Sequence, residues 1–489
     1  MRIVERVITE KNHEFTGTVE SFGSNGEGIV HRGETVFFAP FTVVGEKVKL
    51  KALKVKDRIG YAKALEILTP ADERVRPRCP VFTKCGGCQL QHLRYGAQLK
   101  LKSKTVKDAL RKIAGIDFEV PVTVKSDHQF GYRNKLQIPV GVDANGNTVI
   151  GFYAERSHRI VPVAKCPIHP SWSEDVISIF SEYIEKCGVR GYSETEKRGV
   201  LRHIVVREVD GGFIITAVTY GQALPGKETL IKLLANKFTR FTLWQNVNSG
   251  DANTVFGEEF KLLYGDGRYA ALECGIRFEA GPNTFLQVNS GVCRKLYDRA
   301  ARYAAESGAE VAIDAYSGIG LLTAMLAKAV GKAYGIEVVR ESSACADALK
   351  DNNKLGDKMF NVCGKVEEEL PSLLAKLDAD KIFLLVDPPR KGVDRGVLKS
   401  ILASEIKTVA MISCNPSTMA RDVGLLTGAL IEKDGELKKN PAYTAAGVNG
   451  FYRLVSVQPF DMFPQTKWVE TLVLLSKKTD SHIVVDVNS

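Results

Sequence analysis

The chain of 489 residues lacks any run of eighteen or more uncharged apolar residues, so it offers no segment suited to crossing a membrane as a helix. Its opening stretch, MRIVERVITEKNHEF, carries charges where a secretion signal needs an apolar centre, and the expectation is a cytoplasmic protein that does not engage membranes. Ten cysteines are too few for a disulfide scaffold at this length, and in a reducing compartment they are expected to stay as thiols. Internal repeats are also lacking. With 44% hydrophobic and 25% charged residues the chain is neither disordered nor collagen-like, and its length predicts two to four domains. Lys and Arg (67) outnumber Asp and Glu (57), and the net charge of +10 favours a polyanionic partner such as nucleic acid.

Three rhythms follow one another along the chain. From Glu14 to Leu68 short alternating runs broken by glycine predict a five-stranded, oligonucleotide-binding type of barrel, with Lys47, Lys49, Lys51, Lys54, Lys56 and Arg58 along one face. An ordinary solvated strand face would read the same way. After the Pro-rich connector TPADERVRPRCPVF, the stretch RYGAQLKLKSKTVKDALRKIAG places Leu99, Val106, Leu110 and Ile113 at helical spacing and ends in Gly115. This helix, at about 94–115, is expected to pack on the catalytic domain. Strands dominate from Val120 to about Ala280, with one helix near SWSEDVISIFSEYIEKCG, which predicts a mainly antiparallel middle domain. Beyond Gly281 the runs VAIDAY, KAYGIEV, KIFLLVD and TVAMIS alternate with helical stretches, as in a parallel doubly wound sheet, and RLVSVQPFDMFPQTKWVETLVLLSKK adds an antiparallel pair. The final dozen residues read as a tail. The expected domains are therefore 1–68, 69–280 and 281–489.

The first strand-to-helix turn of the last domain, VAIDAYSGIGLLTAMLA, carries Asp314, Gly318 and Gly320. Its phosphate-binding glycine pattern is incomplete and no Lys-Ser/Thr follows, so a dinucleotide or a nucleoside triphosphate is a poor guest. An adenosyl ligand without phosphates fits better. Glu337 closes the next strand, where a carboxylate can accept both ribose hydroxyls, and Asp387 ends another strand ahead of two prolines. Together these residues favour S-adenosylmethionine over a plain α/β core with a capping acid.

Cys414 ends a further strand in TVAMISCNPSTMARD, where Asn415 and the following helix are expected to favour a thiolate. A thiolate beside a methyl donor suggests attack on C6 of a pyrimidine, which makes C5 nucleophilic towards the methyl group. The C5 proton must then leave, and Glu470, at the mouth of the last strand, is the candidate base. A further cluster, Cys79-x5-Cys85-x2-Cys88 with Cys166 far downstream in KCPIHP, is compatible with structural zinc or with a [4Fe–4S] cluster. Spacing alone does not separate the two.

The motifs FLQVN, DAYSGIG, DPPRKG, SCNP and DMFPQTKWVE, in this order, closely resemble those of the RNA uracil-5-methyltransferases. The resemblance implies Cys414 as nucleophile, Glu470 as general base, and Gln287, Tyr316, Glu337 and Asp387 as contacts to S-adenosylmethionine. Two departures, Ser317 where cysteine is common and Trp468 where histidine often stands, bear on substrate fit. The ribosomal-RNA branch of the family shares the cysteine pattern. The resemblance therefore implies a [4Fe–4S] cluster on Cys79, Cys85, Cys88 and Cys166, and an N-terminal TRAM domain in place of the inferred barrel. The expected function is methylation of C5 of a uridine in 23S ribosomal RNA by a monomeric enzyme. The alternatives are a tRNA uridine methyltransferase and a non-catalytic RNA-binding or ribosome-assembly factor. A 5-methylcytosine enzyme lacks its usual Pro-Cys or Thr-Cys setting here.

Overall fold

A computed structural model describes residues 10–250, 254–444 and 447–477; the expected tail lies outside them. The N-terminal sheet has six strands where five are expected, in the order Glu14–Thr18, Lys47–Lys56, Ile59–Thr69, Thr35–Ala39, Gly28–Arg32 and Ser21–Phe22. The extra strand is two residues long, too short to leave an alternating signature. The sheet curls until its first strand meets Gly28–Arg32: a Cβ on Gly17 would stand 2.4 Å from Val30 Cγ1, so only glycine fits there. Phe15, Val30, Phe37, Val48 and Leu50 fill the interior.

The lysine face survives a change of parity. Lys47, Lys49 and Lys51 alternate with buried Val48, Leu50 and Ala52, whereas Lys54 and Lys56 are displaced by one residue. A register shift between Ala52 and Lys54 leaves Leu53 as the extra residue, so Val55 packs inward and both lysines return to the outer face.

The middle sheet has seven strands, ordered Glu259–Tyr264, Phe241–Val247, Gly212–Thr219, Leu201–Val209, Lys135–Val142, Thr148–Tyr153 and Ile160–Pro162. One pair, Gly212–Thr219 with Phe241–Val247, is parallel. A parallel pair needs a crossover, and a second helix, Lys227–Ala235, supplies it where the sequence suggests only Trp172–Cys187. Both helices cover one face of the sheet, where Leu136, Ile138, Ile204 and Val206 meet Phe180 and Leu230.

The last sheet runs Met359–Cys363, Ala333–Glu337, Val311–Ala315, Ile382–Val386, Thr408–Ser413, Glu470–Ser476 and Arg453–Phe460. Its first five strands are parallel and its last two antiparallel, as the sequence suggests. Alternate residues serve two cores. Ala312, Phe383, Ala410 and Leu472 face one layer of helices; Ile313, Leu384, Val409 and Val473 face the other. Into the second core the helix Tyr95–Ala109 and the π-turn Leu110–Ala114 insert Val106, Leu110 and Ala114, before Gly115 ends them with φ of 75°. A hairpin, Tyr269–Glu273 with Ile276–Ala280, packs Ile276 and Phe278 into the first core. No helix among the described residues is long and apolar enough to cross a membrane.

Candidate active site

The strand Val311–Ala315 lies in the middle of the parallel set. The chain winds outwards from it through Ala333–Glu337 on one side and Ile382–Val386 on the other. That reversal opens a crevice at the carboxyl ends of the strands, where open α/β sheets bind ligands. Asp314 lies buried at one rim, accepting a 2.6 Å hydrogen bond from Thr323 Oγ1. The turn beyond it is tight: Tyr316 adopts φ of 70°, rare for a residue with a side chain, and its N–H reaches the Ile336 carbonyl at 3.0 Å. Gly318 (φ 56°) has open space where its Cβ would be, so a ligand can approach the backbone there. Glu337 accepts from the N–H groups of Gly318 (2.9 Å) and Val339 (2.7 Å), which fixes its carboxylate beside the turn.

Register brings the expected nucleophile and base together. Ser413 pairs with Thr471 in an antiparallel ladder, so Cys414 and Glu470, distant in sequence, emerge opposite one another at the sheet edge. Ala315 pairs with Val386, and the Asp387 N–H donates to the Ala315 carbonyl at 3.2 Å, which sets Asp387 between the turn and that pair. Gln287 lies on the strap leading into the helix Ser290–Glu306; its carbonyl accepts from Asn134 Nδ2 at 3.0 Å.

Burial dominates the electrostatics. It raises Asp314 to about 7 and, aided by the charge of Asp314, raises Asp387 to about 7. Glu470 is pushed well above the carboxylate range by burial and by Asp387, while Arg390 acts in the opposite sense. Cys414 departs from the thiolate expectation. Burial and the neighbouring Glu470 raise its thiol, with Arg390 opposing them. The donors expected to help are occupied: Asn415 Oδ1 caps its own helix by accepting from Ser417 N–H at 3.1 Å, and its amide donates to the Arg390 carbonyl at 3.2 Å.

Arg390 is a site residue that the sequence reading passes over. Its guanidinium stacks over the Trp468 ring at 4.7 Å, so the tryptophan that stands where histidine often does carries a cation near Cys414 and Glu470. Also missed are the groups that hold the loop 461–469 ahead of Glu470. Lys102, fully buried on its helix, pairs with Asp461 and donates to the Phe463 carbonyl at 3.0 Å. Gln98 exchanges hydrogen bonds with Gln465, through Nε2 to Oε1 at 3.0 Å and from Gln465 N–H to Oε1 at 3.1 Å. Tyr132 reaches the Pro464 carbonyl at 3.1 Å. In sequence Lys102 is one of several lysines on a basic helix, with nothing local to mark it as buried.

The four clustered cysteines, Cys79, Cys85, Cys88 and Cys166, line one cavity of about 510 Å³, together with Arg133, Lys135 and Arg207. Among the described residues no group of three or more His, Cys, Asp or Glu side chains could hold a metal ion. Zinc on four thiolates needs Zn–S distances of about 2.3 Å, hence sulfurs within roughly 4 Å of one another. The four sulfurs share a cavity but are not gathered at single-ion distances. Gly87 N–H donates to Cys85 Sγ at 3.4 Å, the kind of backbone contact that supports a sulfur ligand.

A doubly wound sheet with acids at its switch point and a Cys–Glu pair at its edge defines an α/β enzyme of the nucleoside-cofactor kind. Residues 271–432 match the model of the tRNA (uracil-5-)-methyltransferase family. An RNA methyltransferase of Clostridium tetani is 36% identical over 474 residues, 96% of this chain and 98% of that protein. One from Listeria monocytogenes is 36% identical over 475 residues, 96% and 99% of the respective chains. The chain belongs to the RNA uracil-5-methyltransferase family and is an RNA-methylating enzyme. Its fold is similar to that of a Pyrococcus abyssi tRNA (uracil-54, C5)-methyltransferase solved with S-adenosyl-L-homocysteine (TM-score 0.72, 24% identity, 94% of this chain and 99% of that one).

Proposed function

We propose that this enzyme transfers a methyl group from S-adenosylmethionine to C5 of a uridine in structured 23S ribosomal RNA. The observation that carries the reading is the register that sets Cys414 opposite Glu470, next to Asp387 at the switch point. In this reading Cys414 first gives up its thiol proton to solvent, the thiolate adds to C6, and the electron pair released at C5 attacks the donor methyl. The sulfonium bond breaks to leave S-adenosylhomocysteine. Glu470 then takes the C5 proton in its ionised form, which burial makes scarcer but a stronger base, and the returning pair expels the thiolate and restores the 5,6 double bond. Gln287, Tyr316, Glu337 and Asp387 are assigned to the donor: Glu337 to the ribose hydroxyls, and Asp387 to the cationic end that its carboxylate complements when ionised. The uridine must leave its stack to reach Cys414, as in other enzymes that work on a base.

Transfer RNA is the second reading. The Pyrococcus tRNA enzyme is similar in fold over 94% of this chain, so the fold does not by itself mark a ribosomal substrate. Mapping 5-methyluridine in ribosomal and transfer RNA from cells with and without the protein separates the two. Loss of a 23S position alone supports the first reading, and loss confined to tRNA replaces it. Unchanged maps, with no methylation of either RNA by the purified enzyme, favour a factor that grips RNA without modifying it.

The domain division at 1–68, 69–280 and 281–489 belongs to the same proposal, with the helix at 95–109 and the hairpin at 269–280 lodged against the catalytic unit. So does a [4Fe–4S] cluster on Cys79, Cys85, Cys88 and Cys166, which would brace the loop beside the catalytic cleft. Anaerobically purified protein should hold about four irons per chain. Stoichiometric zinc without iron would remove the cluster.

A further inference from the structure

The strap from Gly281 to Asn289 joins the hairpin at 269–280 to the helix Ser290–Glu306 and carries Gln287. It is gripped from outside the catalytic sheet. The two residues that hold it belong to neighbouring chains of the middle sheet: Asn134 stands just ahead of the strand Lys135–Val142, and Arg207 lies on Leu201–Val209, opposite Lys135. Three consecutive carbonyls of the strap accept from this pair. Leu286 accepts from Arg207 Nη2 (3.4 Å), Gln287 from Asn134 Nδ2 (3.0 Å) and Val288 from the Asn134 N–H (3.0 Å).

The orientation of the Asn134 amide follows from its partners. Arg207 Nη1 donates to Asn134 Oδ1 at 3.1 Å, and a guanidinium has only donors to offer, so the amide oxygen must face it. Nδ2 is thereby turned towards the strap, where it meets both the Gln287 carbonyl and Ser290 Oγ, the latter at 3.1 Å. The Asn134 main chain is held as well, its carbonyl accepting from the Glu208 N–H at 2.9 Å. Arg207 is only 5% exposed, and its hydrogen bonds here go to an amide and a main-chain carbonyl, both uncharged. A buried cation used in this way fixes position at a cost in hydration. At its far end the strap meets the loop ahead of Glu470, because Asn289 Nδ2 donates to Ser126 Oγ (3.0 Å) and to the Met462 carbonyl (3.4 Å).

We infer that Asn134, oriented by Arg207, is a positioning residue for Gln287: it sets the strap so that the Gln287 side chain meets S-adenosylmethionine. The inference rests on the assignment of Gln287 to the donor made above. It makes the middle sheet a determinant of donor affinity, although the donor crevice itself lies at the strand ends of the last sheet.

The test is the affinity of the full-length protein for S-adenosylhomocysteine, measured by calorimetry in Asn134→Asp, in Gln287→Ala and in the double variant. Aspartate keeps the size of the side chain and an oxygen for Arg207, but it has no N–H for the Gln287 carbonyl. Asn134→Asp should bind about tenfold more weakly, the scale of one or two lost hydrogen bonds, and should raise KM for S-adenosylmethionine more than it lowers kcat. In the Gln287→Ala background the same change should cost about twofold or less, because it acts through Gln287. Asn134→Ala, which also leaves Arg207 without its acceptor, should weaken binding at least as much and replaces the aspartate variant if that one does not fold. Failure of both to fold would make Asn134 a folding residue and overturn the inference. Unchanged affinity in Asn134→Asp, or an equal loss with and without Gln287, would overturn it too. The two readings fail separately: a loss in Gln287→Ala with none in Asn134→Asp removes the positioning role alone, whereas unchanged affinity in Gln287→Ala removes the donor assignment.

Discussion

At the residue scale the site depends on buried acids whose ordinary ionisation is suppressed. Asp314 and Asp387 are each raised to about 7, and Glu470 is raised as well, all chiefly by burial. An unfolded Asp titrates near 3.9, so between about 4 and 7 the folded state binds more protons than the unfolded one. Folding stability is then greatest below about 4 as far as these groups are concerned, and it falls as pH rises through 7. Denaturant titrations of the ligand-free protein at several pH values should show this decline, and it should shrink in Asp387→Asn. A stability that rises over that window in the parent protein and is unaltered in the variant would contradict the assignment. Glu337, Asp387 and Cys414 can be singled out in the sequence because each stands at the carboxyl end of a strand ahead of a turn, a place that sequence marks with Gly, Pro and Asn, whereas Gln287 lies on a strap and Glu470 opens its strand. Arg390 and the raised thiol of Cys414 were not legible, because they depend on which side chains the sheet sets around them.

At the element scale the least legible feature is the clamp on the loop 461–469. The basic helix Tyr95–Ala109 was expected from its apolar spacing, and its packing on the catalytic sheet follows from Val106 and Leu110. Spacing did not reveal that Lys102 turns inward to Asp461, nor that Gln98 holds Gln465, a residue with side chain at φ of 71°. Lys102→Ala would leave the Asp461 charge buried and unpaired, a loss of about 3–5 kcal/mol. A thermal or denaturant melt should show it. Joint replacement by Lys102→Met and Asp461→Leu should recover most of that stability, since two apolar groups need no partner. If the single variant melts like the parent, the pair does not fasten the loop. The lysine strand shows the reverse case. The switch from odd to even lysines at Leu53 is visible in the sequence, but its meaning, a bulge that keeps one face basic, appears only with the register. Lys49 is also less free than its pattern suggests, since it pairs with Glu14 at 2.9 Å.

At the scale of the whole molecule, three sheets share one task. The N-terminal sheet presents lysines, the middle sheet carries the cavity of the four cysteines with its flanking cations, and the last sheet sets Cys414 opposite Glu470 at its edge. The order of these units was legible from the change of rhythm along the chain. The crossover helix Lys227–Ala235 and the hairpin at 269–280 were not, because short elements carry little periodicity and take their place from packing. The account turns on Cys414 making C5 of uridine reactive and on Glu470 taking the proton that C5 loses. Release of tritium from RNA labelled at C5 of uridine measures that event directly. With S-adenosylmethionine present, the parent enzyme should release one tritium for each methyl group transferred. Cys414→Ala should release none, and Glu470→Gln should stall as a covalent RNA adduct that survives a denaturing gel. Methyl transfer to RNA without tritium release, or release undiminished in Cys414→Ala, would contradict the account.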